Sequence, residues 1–142
     1  MNTAVHTDHA PAAIGPYSQA VVAGNTIYVS GQIPIGPEKG ELIEGGIEEQ
    51  TRQSLTNITN ILAAAGFEMK NVVKTTVLLA DIADFTAMNN VYAEFFEEPY
   101  PARAAFQAAA IPKGAKVEIE CIALKCKEQG YMVTPLTGRE LL

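Results

Sequence analysis

The stretch NVVKTTVLLADIADFTAMNNVYAEFFEE, Asn71–Glu98, changes its period midway, and that change decides how the chain is built. Its first ten residues are rich in β-branched side chains and have the length of a strand. From Asp84, placed as an N-cap, the residues Phe85, Met88, Tyr92, Phe95 and Phe96 fall toward one helical face. The stretch is therefore one strand followed by one amphipathic helix, and the rest of the chain reads outward from that pair.

Toward the N-terminus, IEEQTRQSLTNITNILAAAG puts Thr51, Leu55, Ile58, Leu62 and Ala65 on one helical stripe and stops at Gly66, a C-terminal cap. Before it, short apolar runs alternate with Gly and Pro, and the Gly24–Asn25 pair between AVVA and TIYVS reads as a hairpin turn. Two strands are expected there, Gln19–Ala23 and Thr26–Gln32. Toward the C-terminus, YPARAAFQAAAIP and AKVEIECIALK, separated by IPKG, read as two closing strands. The predicted order is β-β-α-β-α-β-β, an α+β fold with both helices on one face of a mixed sheet. The opposite face then stays uncovered, and so small a chain needs a partner to bury it.

A length of 142 residues fits a single domain, with 48% apolar and 18% charged residues typical of a globular chain. The domain is expected over residues 1–126, with 127–142 as a C-terminal extension carrying Gly130, Pro135 and Gly138 without clear period. Sixteen acidic against ten basic residues give a net charge of −6, and no run of Lys and Arg gathers the cations. Nucleic acid and anionic lipid are thus disfavoured partners. Cys121 and Cys126 suggest neither a disulfide framework nor a zinc site and are read as reduced thiols. With no apolar leader and no run approaching the ~18 residues of a membrane span, a cytoplasmic protein is expected.

Three groups of residues invite a chemical reading. Arg103 is set among alanines and beside Phe106; it must reach water, pair with an acid, or meet a ligand anion, for which a planar guanidinium is well suited. On the last strand, alternation puts Val117, Ile119 and Cys121 on one face and Glu118, Glu120, Ile122 and Leu124 on the other. Either the acids mark an exposed strand end or one glutamate is shielded, with a raised pKa or a nearby donor. His6 and His9 form an H-x-x-H pair with only Asp8 as a further ligand, too little for a metal site. Ser30 has no nucleophile context, and no phosphate-cradling glycine spacing occurs.

Taken together, APAAIGPYSQAV, VSGQIP, QTRQSLTNITNILAAAG, VVKTTVLLADIADFTAMNNVYAEFF and PARAAFQAAAIPKGAKVEIECIA resemble, in order, the segments of the RidA (YjgF) family of reactive-intermediate deaminases. The resemblance implies a chorismate-mutase-like fold assembled as a homotrimer, with sites in clefts between subunits. It implies hydrolysis of enamine and imine intermediates, such as 2-iminobutanoate and 2-iminopropanoate, to 2-oxo acids and ammonia. No cofactor is implied, and the intermediates come from pyridoxal-phosphate dehydratases. By the same matching Arg103 grips the substrate carboxylate, Glu118 directs or deprotonates water, and Tyr17, Ser30, Gly31, Asn89 and Ala105 line the site. Many relatives carry a hydroxyl residue and a cysteine where this chain has Ala104 and Ala105, so no thiol acts there. The loop EEPYPAR is shorter than is common in the family and the tail longer. Some members are described as ribonucleases, translation inhibitors or chaperone-like proteins, and a carboxylate-binding protein without turnover would begin with the same arginine.

Overall fold

The structure, a computed structural model, describes residues 1–125. Cys126 and the expected extension at 127–142 lie outside the described residues. The elements are β1 (Thr3–Val5), β2 (Ala20–Ala23), β3 (Thr26–Gln32), α1 (Ile47–Ala64), β4 (Val72–Leu79), α2 (Phe85–Tyr92), β5 (Ala102–Gln107) and β6 (Val117–Leu124), joined in places by single 3-10 turns. They form one six-stranded mixed sheet in the order β1-β2-β3-β6-β4-β5. All neighbours are antiparallel except β4 and β5, which run parallel and are joined through α2, as a parallel pair requires a crossover.

The expected order holds with one addition. Strand β1 was not foreseen, because three residues on a sheet edge, two exposed and one half-buried, are too few to show apolar alternation; backbone pairing of Thr3–Val5 with Ala20–Val22 defines it. Gln19 then ties the following segment down, accepting from the Thr7 amide at 2.7 Å and donating to the Thr7, Ala10 and Pro11 carbonyls.

Helix α1 buries Leu55, Ile58, Ile61 and Leu62 against Ile27, Val29, Val117 and Ile119 of the sheet, all in one core cluster. Each such aliphatic side chain contributes about 1.5–3 kcal/mol on burial. The helix ends as the sequence predicts: Gly66 takes φ +78°, its amide donates to Ala63, and the Phe67 amide donates to Leu62.

Helix α2 is shorter than its apolar stripe. Regular helix stops at Tyr92, and the amides of Glu94 and Phe95 continue as tight turns onto Val91 and Tyr92. Phe96 is nonetheless buried, its ring 4.5 Å from that of Tyr92. Asp84 occupies the N-cap position but its side chain caps nothing; Asp81 accepts from the Ala83 amide instead, because a 3-10 turn at Ile82–Asp84 precedes the helix.

On β6, Val117, Ile119, Cys121 and Ala123 are buried beneath the helices. Glu118, Glu120, Ile122 and Leu124 face away, so the strand alternates along its whole length rather than having an acidic exposed end. Register places Tyr28, Lys74 and Ala102 in line with Ile122, and Leu78 and Phe106 in line with Glu118. Among the described residues nothing covers this second face, where Tyr28, Phe106 and Leu124 are each at least 42% exposed. No helix among the described residues is long and apolar enough to cross a membrane.

Candidate active site

Strand β5 forms the sheet edge, and Arg103 projects from it toward the helices, directly opposite Thr75 of β4. Its Nη1 donates to Asn89 Oδ1 of α2 at 2.7 Å. The guanidinium carbon lies 4.7 Å from the centre of the Tyr92 ring and 5.4 Å from that of Phe85. Such cation–ring contacts contribute about 0.5–2 kcal/mol each. No acid pairs with Arg103 among the described residues; Asn89 holds one of its N–H groups, and the Tyr92 hydroxyl lies close enough to interact with the guanidinium. A groove of about 510 Å³, lined by Asn89, Tyr92, Tyr100, Pro101 and Arg103, opens beside it. Half-buried, oriented and unpaired, the guanidinium is arranged to receive a planar anion. Ala105, two residues on, shares its face and packs partly against the core.

Glu118 stands on the other face of the sheet. Register shifts between Val29 and Gln32, so Ser30 and Gly31 bulge out of the β3–β6 ladder opposite Glu120, and the Glu118 side chain lies across the bulge. A Cβ built on Gly31 would stand 2.5 Å from Glu118 Oε1 and 3.0 Å from its Cδ. Only glycine leaves room for the carboxyl where it sits. A cleft of about 720 Å³ includes Tyr17, Ser30, Gly31, Lys113, Glu118 and Glu120 in its lining. Burial, and secondarily the charge of Glu120, hold the Glu118 carboxyl above the usual carboxylate pKa. Among the described residues no donor bonds to it.

Ser30 is engaged locally. Its hydroxyl donates to the Ser18 carbonyl at 2.6 Å and its amide to the Gln19 carbonyl at 2.9 Å, fixing the segment that carries the half-exposed Tyr17 over the cleft.

The residues singled out from the sequence thus fall into two sets. Tyr17, Ser30, Gly31 and Glu118 come together in one cleft; Arg103, Asn89 and Ala105 lie on the opposite side of the sheet. Arg103 and Glu118 are two strands apart, about 10 Å laterally, and on different faces. Thr75, Tyr92 and Phe85 around Arg103 were not anticipated as site residues. Tyr92 and Phe85 fit the apolar stripe of α2, and the pairing of Thr75 with Arg103 depends on a strand order that periodicity does not contain. His6 contacts only Asp8, at 3.1 Å, on an exposed segment.

The fold is α+β, and its two grooves carry an acid-free guanidinium and a shielded carboxyl, groups chemically suited to a small organic anion and to proton transfer. Residues 7–125 match the model of the family described as Endoribonuclease L-PSP, and the chain belongs to that family, in agreement with the resemblance read from its sequence. It is 58% identical over 121 residues, 85% of this chain and 88% of the other, to a goat (Capra hircus) protein named 2-iminobutanoate/2-iminopropanoate deaminase. Among solved structures it is similar to one titled a putative endoribonuclease from Thermotoga maritima, with a TM-score of 0.87, 50% identity and coverage of 89% and 100% of the two chains. It is also similar to Escherichia coli TdcF with bound serine, with a TM-score of 0.83, 42% identity and coverage of 87% and 99%.

Proposed function

We propose that this protein is an imine deaminase that hydrolyses 2-iminobutanoate and 2-iminopropanoate to the 2-oxo acids and ammonia. The observation that carries the reading is the Arg103 guanidinium, held by Asn89 beside an open groove and paired with no acid among the described residues. The names of the relatives support the reaction, and the serine bound in a similar structure has the carboxylate that Arg103 is suited to grip.

The chemistry asks for orientation more than for force. The enamine form takes a proton at carbon to become the imine, and the protonated C=N carbon is already electrophilic. Water adds to that carbon and gives up one proton, the amino nitrogen of the resulting carbinolamine takes a proton, and ammonia departs as the hydroxyl loses its own proton to form C=O. Arg103 fixes the substrate through its carboxylate, and Glu118 orients the water and takes its proton, for which a carboxyl with a raised pKa is better suited than an ordinary one. Gly31 makes the space Glu118 occupies, Ser30 holds the Tyr17 segment, and Tyr17 closes the cleft. Ala105 supplies no thiol, and direct addition of water to the C=N carbon needs none.

A substrate of six or seven heavy atoms does not bridge Arg103 and Glu118 of one chain across two strand spacings and both faces of a sheet. Both act on one molecule only where the Arg103 edge of one copy meets the Glu118 cleft of the next. Such a contact joins unlike surfaces, which a closed ring of copies satisfies throughout and a two-fold dimer does not, and the family resemblance implies three subunits. We assign a homotrimer, in which the uncovered sheet face with Tyr28, Ile122, Leu124 and Phe106 becomes subunit interface.

The family description names an endoribonuclease, but a net charge of −6 and a Glu118 cleft with Lys113 as its one lining cation among the described residues argue against holding a polyphosphate. The test is to generate imine with a threonine dehydratase and follow its decay with wild-type protein and Arg103→Ala. Acceleration over buffer, lost in the variant, is expected; no acceleration by wild type rejects the activity, and an unaffected variant rejects the site.

A further inference from the structure

We infer that Thr75 and Tyr92 are a positioning pair that sets the plane of the Arg103 guanidinium; the inference rests on the reading of Arg103 as the carboxylate anchor. Thr75 is fully buried on β4 and lies opposite Arg103 in the parallel β4–β5 register, so the two side chains leave the sheet on the same face. Its Oγ1 is 2.8 Å from the Tyr92 hydroxyl, which the Arg103 guanidinium also approaches. A buried hydroxyl is costly unless bonded, and valine would fill the same volume among Val77, Leu79 and Cys121. The hydroxyl of Thr75 is therefore explained by Tyr92, and the ring of Tyr92 lies 4.7 Å from the guanidinium carbon. Phe96 packs on that ring, further restricting it.

Each contact removes a different freedom. Asn89 fixes the in-plane rotation of the guanidinium by taking Nη1, while the Tyr92 ring fixes its tilt. Burial raises the phenol pKa against the opposing pulls of the Thr75 hydrogen bond and the Arg103 charge, so Tyr92 remains a neutral platform at physiological pH. Arginine carries substantial rotamer entropy, and a fork fixed before the ligand arrives loses less of it on binding. A bidentate grip needs both the tilt and the rotation to be right.

The experiment compares Thr75→Val, Thr75→Ser, Tyr92→Phe and the Thr75→Val/Tyr92→Phe double variant, using 2-oxobutanoate and its neutral amide as probes. Thr75→Val and Tyr92→Phe should each weaken 2-oxobutanoate binding about three- to tenfold, the scale of one lost neutral hydrogen bond, and leave the amide unchanged. The double variant should lose no more than either single one, and Thr75→Ser should restore binding although it deletes a core methyl group. Binding that follows thermal stability instead, with Thr75→Ser worse than Thr75→Val, overturns the pair. NMR order parameters of the Arg103 Nε–H, read without ligand, separate this from the proposed activity. Unchanged order in Thr75→Val and Tyr92→Phe overturns the pair even where imine hydrolysis is intact. Lowered order in Thr75→Val and Tyr92→Phe, where the wild type hydrolyses no imine, upholds the pair and overturns the function.

Discussion

Gly31→Ala tests the placement of Glu118 with a single methyl group. The added Cβ would stand 2.5, 3.0 and 3.2 Å from Oε1, Cδ and Cγ of Glu118. Ordinary contact begins near 3.4 Å, so the carboxyl must retreat by about 1 Å. Gly31 has an ordinary backbone conformation that alanine adopts, and the obstructing atoms belong to the end of a flexible side chain, so the fold absorbs the change. A displacement of ~1 Å in a group that aims water is worth about 100-fold in rate, or about 2.7 kcal/mol. The expected result is a kcat/KM for 2-iminobutanoate lowered about 30- to 100-fold, with thermal stability within a few degrees of wild type. Wild-type kcat/KM in a folded Gly31→Ala protein would refute the reasoning, because the position of Glu118 would then not matter to the reaction.

Arg103→Ala should lower kcat/KM about 10- to 100-fold, from the loss of charge-assisted hydrogen bonds of ~1.5–3 kcal/mol, and Arg103→Lys should recover little because it lacks the fork. Burial, with a smaller push from Glu120, raises the Cys121 thiol to about 12, so it stays protonated through pH 9. In a Cys126→Ser background, native protein should resist thiol reagents at pH 8 and take one equivalent on unfolding; rapid native labelling contradicts the burial. Because the folded-state pKa lies above the ordinary 9.0, the stability linked to Cys121 is complete below pH 9 and is lost as pH rises toward 12, which denaturant titrations across that range measure. Gln19→Leu removes four hydrogen bonds holding the N-terminal segment and should lower stability by about 2–4 kcal/mol while raising KM through Tyr17. An unchanged melting temperature contradicts that anchor.

The two helices and the long strands were legible because their residues obey local periods: the Leu55–Ile58–Leu62 stripe, the β-branched run of β4 and the alternation of β6 all declare one buried face. The C-terminus of α1 was equally local, since Gly66 is where a left-handed residue is needed. Strand β1 was illegible because backbone pairing alone defines it. The end of α2 was misplaced because Phe95 and Phe96 keep the apolar spacing after regular helix has stopped. Arg103 and Glu118 stood out by composition and by resemblance, yet their separation onto opposite faces follows from strand order, and that order is a property of pairings distant in sequence. The same holds for Thr75, whose meaning appears only once β4 lies beside β5.

Mixing two impaired variants addresses the composite site most directly. Arg103→Ala and Glu118→Gln subunits, unfolded together in equal amounts and reassembled, should regain roughly a quarter of wild-type imine hydrolysis, because a quarter of randomly formed junctions unite an intact Arg103 with an intact Glu118. Activity no higher than that of either variant reassembled alone would contradict the account and place the chemistry within a single chain.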